Sequence, residues 1–306
     1  MFRIVQRRRI YFILSAVLVG LGLLAMIIST VVSGRPFQVG VDFRSGTRLE
    51  VQFQEPVSEN DIRAVFSDFG IANPAVTSLQ GEGLENAWQI RTEFLSTETA
   101  GQLQAALNDL APLNPEATLV ESVSPAVGQE VTQAAFGAVL LAAIIILVYI
   151  MFAFRQMPNS FRYGACAVVS MLHDILIIFG FIALTGLLLG WEVDALFLTA
   201  ALTVAGFSLQ DTIVVFDRIR ENFGRYPTET FASIANRSIL ETIHRSLVTQ
   251  VCAMFVMVAL LLFGGASIKH FIAVLLVGLL SGTYSSIFNA VPLLVAWEER
   301  AAEAAV

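Results

Sequence analysis

The sequence predicts a polytopic α-helical membrane protein that carries one inserted α+β domain. Of its 306 residues, 56% are hydrophobic and 14% are charged, whereas soluble domains average about 25% charged residues. An apolar run of about 20 residues is long enough to cross a hydrocarbon core about 30 Å thick. Six such runs are present, and they place the expected spans at 10–32, 134–154, 163–186, 194–217, 246–264 and 270–296.

The first apolar run follows Arg7, Arg8 and Arg9, as the apolar core of a signal peptide does. It is longer than the roughly 7–15 apolar residues of a cleavable signal, and no small-x-small cleavage site follows it before Arg35 and Pro36. We therefore expect an uncleaved membrane anchor.

The distribution of basic residues predicts the orientation, because short loops rich in Lys and Arg remain in the cytoplasm. A cytoplasmic N-terminus leaves only Lys269 in the short loops on the other side. It places on the cytoplasmic side Arg3, Arg7, Arg8, Arg9, Arg155, Arg162, Arg218, Arg220, Arg225 and Arg237. Both termini are thus expected to be cytoplasmic.

Four segments follow from this topology. They are the N-terminus with the first span (1–32), an extracytoplasmic domain (33–128), spans two to six (129–297) and a cytoplasmic tail (298–306). The extracytoplasmic segment is acidic and lacks Lys, which argues against nucleic acid or anionic lipid as its partner.

The order of patterns in this segment predicts a ferredoxin-like α+β domain. Alternating apolar residues and turn signals mark the strands, and hydroxyl residues mark the helix starts. Strands are expected at Val41–Phe53, Ala75–Leu79, Ala87–Leu95 and Thr118–Val123, with a turn at Gly81–Gly83; helices are expected from Ser58 to Phe69 and from Ser96 or Thr97 to Leu110.

Four ionisable residues within or directly beside the predicted spans are candidates for function: His173, Asp174, Asp211 and Arg245. A charge at the bilayer centre costs about 2.5–3.5 kcal/mol on insertion scales, so such residues are often functional. Asp211 lies about seven residues, or roughly 10 Å, inside the fourth span. If the fourth and fifth spans are neighbours, Arg245 reaches it from the fifth.

Two interpretations of Asp211 and Arg245 remain open from the residues alone. Either the two brace the bundle as a buried ion pair, or Asp211 takes up and releases protons as its cationic partner approaches and withdraws. Arg245 shares a helix face with Thr249. Asp174 is equally compatible with a hydrogen-bonding role and with a place in the proton path, beside His173.

Small residues recur every fourth position in the sixth span, at Gly278, Gly282, Ser286 and Ala290. Such a stripe lets helix backbones approach closely and predicts helix packing. Pro292 follows it and is expected to kink the end of the span.

The segment from Thr228 to Ile243 is expected to form a separate cytoplasmic helix at the membrane interface. Its candidate membrane-facing anchors are Phe231, Ile234 and Ile239.

An ordered set of segments resembles the SecF family of membrane proteins. Residues Gly40–Thr47 are similar to the family stretch Gly-hydrophobic-Asp-Phe-x-Gly-Gly-Thr. Three residues depart from the family pattern: Ser45 stands for Gly, Gln210 for Asn and Gln250 for Ser. The other matching segments are Val123–Gly128, His173–Asp174, Gly206–Asn222, Asn236–Ser238, Glu241–Leu247 and Ser281–Ser286.

The resemblance implies half of an RND-type transporter that pairs with SecD and uses the proton-motive force to promote preprotein export. The further partners implied are the SecYEG channel, SecA and YajC/YidC-type components, in a bacterial plasma membrane or a thylakoid membrane. The proton pathway is then expected to include Asp211, Arg245, Asp174, His173, Gln210 and Thr249.

No enzymatic activity, cofactor or metal is expected, and no nucleotide-binding glycine loop is present in the sequence. Two other functions remain as alternatives: an RND-type exporter of small amphipathic molecules, and a non-transporting assembly scaffold.

Overall fold

The computed structural model describes residues 3–71, 74–79 and 85–304, without the side chains of residues 266 and 267. The turn predicted at Gly81–Gly83 lies outside them. The elements are α1 (Arg8–Ser33), α2 (Val41–Arg44), β1 (Gly46–Gln52), α3 (Glu59–Asp68), β2 (Ala75–Ser78), β3 (Ala87–Thr92), α4 (Thr97–Leu110), β4 (Leu119–Val123), α5 (Pro125–Ala153), α6 (Ser160–Leu189), α7 (Ala195–Arg225), α8 (Phe231–Phe263), α9 (Ala266–Ser285), a π-helical turn (Ser286–Ala290) and α10 (Val291–Glu303), with 3₁₀ turns at Val5–Arg7 and Pro115–Ala117.

Six helices among the described residues are long and apolar enough to span a membrane. This confirms the six spans predicted from hydropathy. The spans cover Val5–Ser33, Pro125–Ala153, Ser160–Leu189, Ala195–Arg225, Phe231–Phe263 and Ile268–Glu303.

The chain forms two compact units, one made of residues 1–38 with 137–306 and the other of residues 39–136. The smaller unit extends beyond the predicted 33–128 because the first turns of α5 pack against α2. A Cβ at Gly128 would lie 3.0 Å from Ser45 N, and Thr132 Oγ1 donates a hydrogen bond to Phe43 O (3.1 Å). Residues 298–303, predicted as tail, continue α10.

The smaller unit is a four-stranded antiparallel sheet in the order β2-β3-β1-β4. With α3 after β1 and α4 after β3, this order confirms the predicted ferredoxin-like arrangement. The predicted caps are present: Ser58 and Asp61 form a capping box on α3, and Ser96 caps α4. One face of the sheet and the two helices enclose an apolar core that includes Leu49, Val51, Ile62, Phe66, Ile90, Leu103 and Leu107.

The first strand begins later than predicted, because Val41–Arg44 forms the helical turn α2. Ser45 follows with φ 64° and ψ 156°, a region that costs a non-glycine residue about 1–3 kcal/mol. Ser45 therefore has a positive φ, which the glycine usual at this place in the family stretch would adopt without strain. At Gly46 (φ 134°) a Cβ would lie 2.7 Å from Thr92 O, so this position requires glycine.

The predicted interfacial helix is wrong: α8 runs without a break from Phe231 to Phe263. Its first turns are held by tertiary contacts, since Asn236 Oδ1 accepts a hydrogen bond from Ile4 N (2.8 Å). Ile234 and Ile239 are buried in the core of the bundle and do not face the membrane. Burial against the N-terminal segment explains their apolar character.

The sixth span changes its helical register at the π-helical turn Ser286–Ala290, directly before Pro292. Proline has no N–H to donate to the carbonyl one turn earlier, and an irregular turn is a common response to that loss. Ser286 lies inside this turn and is fully buried.

The sixth span packs closely against α7 through its glycines. A Cβ at Gly278 would lie 2.1 Å from Val204 Cγ2, and one at Gly282 would lie 3.2 Å from Ser208 Cβ. These positions bring the backbone of α9 against α7 at a distance that a larger residue at position 278 would not permit.

Candidate functional site

Asp174 of α6 lies at the centre of a cluster of hydroxyl groups inside the bundle. The Oγ atoms of Ser208 and Ser285 both donate hydrogen bonds to its Oδ2, each over 2.6 Å. Ser281 Oγ donates to Oδ1 over 2.6 Å, and His173 Nδ1 lies 3.0 Å from the same oxygen. The side chain is completely inaccessible to solvent.

These contacts join three helices, because Ser208 belongs to α7 and both Ser281 and Ser285 belong to α9. A carboxylate offers about four lone-pair positions, and Asp174 has a partner at each of them. The close approach of Gly282 to Ser208 lets the serines on both helices reach one carboxylate. We call Asp174 with these three serines the Asp174 cluster.

His173 extends the Asp174 cluster towards α1. Its ring centroid lies 6.5 Å from that of Tyr284, whose hydroxyl donates a hydrogen bond to Tyr11 O (2.8 Å). His173 Nε2 is buried and has no hydrogen-bond partner among the described residues. The ring therefore has one nitrogen beside a carboxylate and one nitrogen unpaired.

Asp211 of α7 is also buried, with 4% of its surface exposed, but its surroundings are different. Gln250 Nε2 of α8 donates a hydrogen bond to Asp211 Oδ2 over 2.7 Å. Ser246, one turn earlier on α8, lies beside the carboxyl group, although its Oγ makes no hydrogen bond of acceptable geometry within the described part of the chain. The nearest donors to Asp211 are thus uncharged.

The structure does not bring Arg245 to Asp211: no ion pair joins them among the described residues. Arg245 and Thr249 are exposed on α8, and the Thr249 hydroxyl bonds only to the Arg245 carbonyl of its own helix (3.0 Å). Successive helical residues are about 100° apart. Because Ser246 and Gln250 face Asp211, their predecessors Arg245 and Thr249 are turned away from it.

Gln210 is likewise exposed on α7, one residue before Asp211. Of the six residues predicted for the proton pathway, the structure therefore pairs only His173 with Asp174. It separates Asp211 from Arg245 and places Gln210 and Thr249 on outer helix faces.

Sequence reasoning missed the residues that contact the two carboxylates. Ser281 and Ser285 are spaced four apart, which places both on one helix face, but they lay beside a stripe that was interpreted as packing. Ser208 lies three residues before Asp211, a spacing that puts both on one helix face, whereas its hydroxyl contacts Asp174. Gln250 stood out only as a departure from the family pattern.

One end of the bundle is joined by a polar network. Arg218 of α7 pairs with Glu241 of α8 (2.5 Å) and with Glu221 of its own helix. The Asn222 amide donates to both Glu241 (2.9 Å) and Ser238 (3.0 Å). These contacts explain the charged residues of this segment as links between α7 and α8.

The described residues contain no group of His, Cys, Asp and Glu suited to hold a metal ion. Residues 30–57 match the family model for the SecD/SecF GG motif. Residues 102–300 match the model for the C-terminal part of the protein export membrane protein SecD/SecF, which is more than half of the chain.

The chain belongs to the SecD/SecF family.

Curated members of the SecD/SecF family are similar over nearly the whole chain. The protein translocase subunit SecF of Anaerolinea thermophila is 40% identical over 303 residues, which cover 97% of this chain and 94% of that protein. SecF of Thermobaculum terrenum is 41% identical, with 98% and 95% covered. These relatives confirm the family that the motifs suggested.

Solved SecDF structures share the fold. The crystal structure of SecDF from Thermus thermophilus, described as a translocon-associated membrane protein, has a TM-score of 0.78 and 29% identity, and it matches 97% of this chain. This chain spans only 39% of that longer chain. The match confirms a SecDF-type membrane fold.

Proposed function

We propose that this chain is the SecF subunit of a SecDF complex that uses the proton-motive force to promote preprotein export. The observation that carries the proposal is Asp211, a buried carboxyl inside a membrane span whose bonded partner is uncharged. A carboxyl in this position is free of a fixed counter-charge, which suits a group that gains and loses a proton. The similarity to named translocase subunits supports the same function.

We further propose that Arg245 is the mobile cation of the cycle. Its side chain is exposed and makes no ion pair among the described residues, and its long stem can reach several ångström along the helix. Approach of the guanidinium would stabilise the charged form of Asp211, and its withdrawal would favour protonation. One charge crossing 100 mV yields about 2.3 kcal/mol, enough to drive such a change.

The test uses vesicles that contain the complete complex and measures gradient-dependent release of an exported chain, normalised to the assembled complex. Asp211→Asn keeps the shape of the side chain but cannot be ionised, and we expect at least about a tenfold loss. Asp217→Asn is the matched control, because Asp217 lies on the same helix, is exposed and pairs with Arg220. Wild-type gradient dependence in Asp211→Asn would exclude an essential proton-carrying role for Asp211.

SecD is the proposed partner, and the polar residues on outer helix faces support the pairing. Arg245, Thr249 and Gln210 are all exposed within spans. Polar and charged side chains that face lipid on a membrane span are costly, so a second protein is expected to cover this surface. Purification in mild detergent is expected to recover SecD in equal amount, with SecYEG, SecA and YajC/YidC-type components in lower yield. Full transport activity from this chain alone would contradict the pairing.

We propose that both termini are cytoplasmic and that the α+β domain lies outside, in a bacterial plasma membrane or a thylakoid membrane. The arginine-rich ends of the spans support this orientation. In a background without Cys166 and Cys252, Glu93→Cys and Gly265→Cys are expected to react with an impermeant thiol reagent in intact cells. Thr228→Cys is expected to react only after lysis, and the reverse pattern would invert the topology.

A further inference from the structure

Gln250 is a buried amide in a part of α8 that is otherwise apolar. Only 4% of its surface is exposed, and the residues that follow it, 251–263, contain no charged side chain. Burying an amide without a hydrogen-bond partner is costly. Among the described residues, the one side-chain hydrogen bond of Gln250 is the donation from Nε2 to Asp211 Oδ2, over 2.7 Å.

This hydrogen bond explains why an amide is buried inside the bundle. A leucine or methionine would fill the same volume with no polar group to satisfy, so packing alone does not account for Gln250. The amide group also has no proton to exchange near neutral pH. Its N–H can therefore stay bonded to the carboxyl in either form without taking up the proton, although the bond to the charged form is the stronger one.

The position of Arg245 indicates when the Asp211 carboxyl needs another group to fix its orientation. With the guanidinium turned away, no cation among the described residues contacts Asp211, and its orientation depends on the uncharged donors of α8. Ser246 lies beside the carboxyl without a hydrogen bond of acceptable geometry, so Gln250 makes the one side-chain hydrogen bond to Asp211 within the described part of the chain.

We infer that Gln250 is a positioning residue for Asp211, which keeps the carboxyl oriented while Arg245 is withdrawn. The inference rests on the proposed proton-carrying role of Asp211. It assigns to Gln250 a part in the transport cycle beyond stabilising the contact between α7 and α8.

The test compares Gln250→Leu, which removes the donor at similar volume, with Val251→Ala, an exposed neighbour on the same helix. The first measurement is the pH profile of gradient-driven transport by the complete complex in vesicles. Loss of one uncharged hydrogen bond corresponds to a shift of about 0.7 pH unit in the profile of Gln250→Leu. We expect no shift in Val251→Ala.

The second measurement is the infrared band of the protonated Asp211 carboxyl, assigned by its disappearance in Asp211→Asn. Its frequency depends on the hydrogen bonds of the group, so it is expected to change in Gln250→Leu and to stay unchanged in Val251→Ala. Gln250→Asn retains the amide but shortens its reach by one methylene, and it is expected to show the same band shift. It also provides the measurement if Gln250→Leu fails to assemble.

A merely structural Gln250 would give a different result. Its variants would then lower the amount of assembled complex, while the pH profile and the carboxyl band of the remaining complex would match the wild type; that outcome overturns the inference. If Asp211→Asn itself retains gradient dependence, the proposed function fails first. If Asp211→Asn loses it and Gln250→Leu keeps the wild-type profile and band, only the role of Gln250 fails.

Discussion

Asp174 and Asp211 are both buried carboxyl groups in one helical bundle, yet their surroundings differ in kind. Asp174 has three serine hydroxyls and a histidine nitrogen around it, supplied by α6, α7 and α9. Asp211 receives one amide hydrogen bond, from α8. Both side chains are almost completely buried, so burial alone does not distinguish a structural carboxyl from a transporting one.

The number and origin of the donors distinguish them. A carboxyl bonded to two neighbouring helices cannot change these partners unless the helices separate, and a fully satisfied buried network makes a bundle more rigid. A carboxyl with a single amide donor can exchange that partner for a cation without any separation of helices. We therefore propose a bracing role for the Asp174 cluster, beside the proton-carrying role proposed for Asp211.

The largest test of this comparison replaces each carboxyl with alanine. Asp174→Ala leaves three buried hydroxyls without their acceptor, and we expect a loss of about 3 kcal/mol in the free energy of unfolding. Asp211→Ala leaves one amide unpaired, with an expected loss of about 1 kcal/mol. Unfolding of the purified complex in mild detergent, followed by tryptophan fluorescence, measures both. Equal losses would remove the distinction between the two carboxyls.

A substitution at Gly278 tests whether the Asp174 cluster depends on helix packing, without changing a polar group. A Cβ there would lie 2.1 Å from Val204 Cγ2, so Gly278→Ala is expected to push α9 from α7 and cost about 2 kcal/mol.

Gly206→Ala on α7 is the control, because a Cβ at that position meets no atom within 4 Å. We expect Gly206→Ala to leave unfolding unchanged or slightly more difficult, since alanine favours the helix. Wild-type stability in Gly278→Ala would show that the Asp174 cluster does not depend on the close contact between α9 and α7.

The smallest expected effect is a difference in stability between two serine substitutions. Ser285→Ala removes one of the donors to Asp174 and is expected to lower the free energy of unfolding by about 1 kcal/mol. Ser246→Ala removes a hydroxyl that makes no hydrogen bond of acceptable geometry in the described chain, so its stability is expected to be near that of the wild type. A larger loss in Ser246→Ala than in Ser285→Ala would contradict the assigned roles.

Much of the architecture follows from local signals in the sequence. The six spans follow from apolar length, the caps at Ser58 and Ser96 from hydroxyl residues before helices, and the ferredoxin-like domain from the order of strand and helix patterns. Each depends on residues close together along the chain, where composition and periodicity carry the physical information. The intramembrane acids were visible for the same reason.

Tertiary structure alone decided what those acids contact. Ser281 and Ser285 lie more than one hundred residues from Asp174 in the sequence, and they reach it because Gly282 lets α9 approach α7. Likewise Ser246 and Gln250 lie towards Asp211 and Arg245 does not, because the packing of α8 determines which of the adjacent residues 245 and 246, about 100° apart, points inward. The sequence by itself determined that charged groups enter the membrane, since hydropathy is a property of each residue. Their partners depend on how the helices are rotated and spaced, which only packing between distant segments determines.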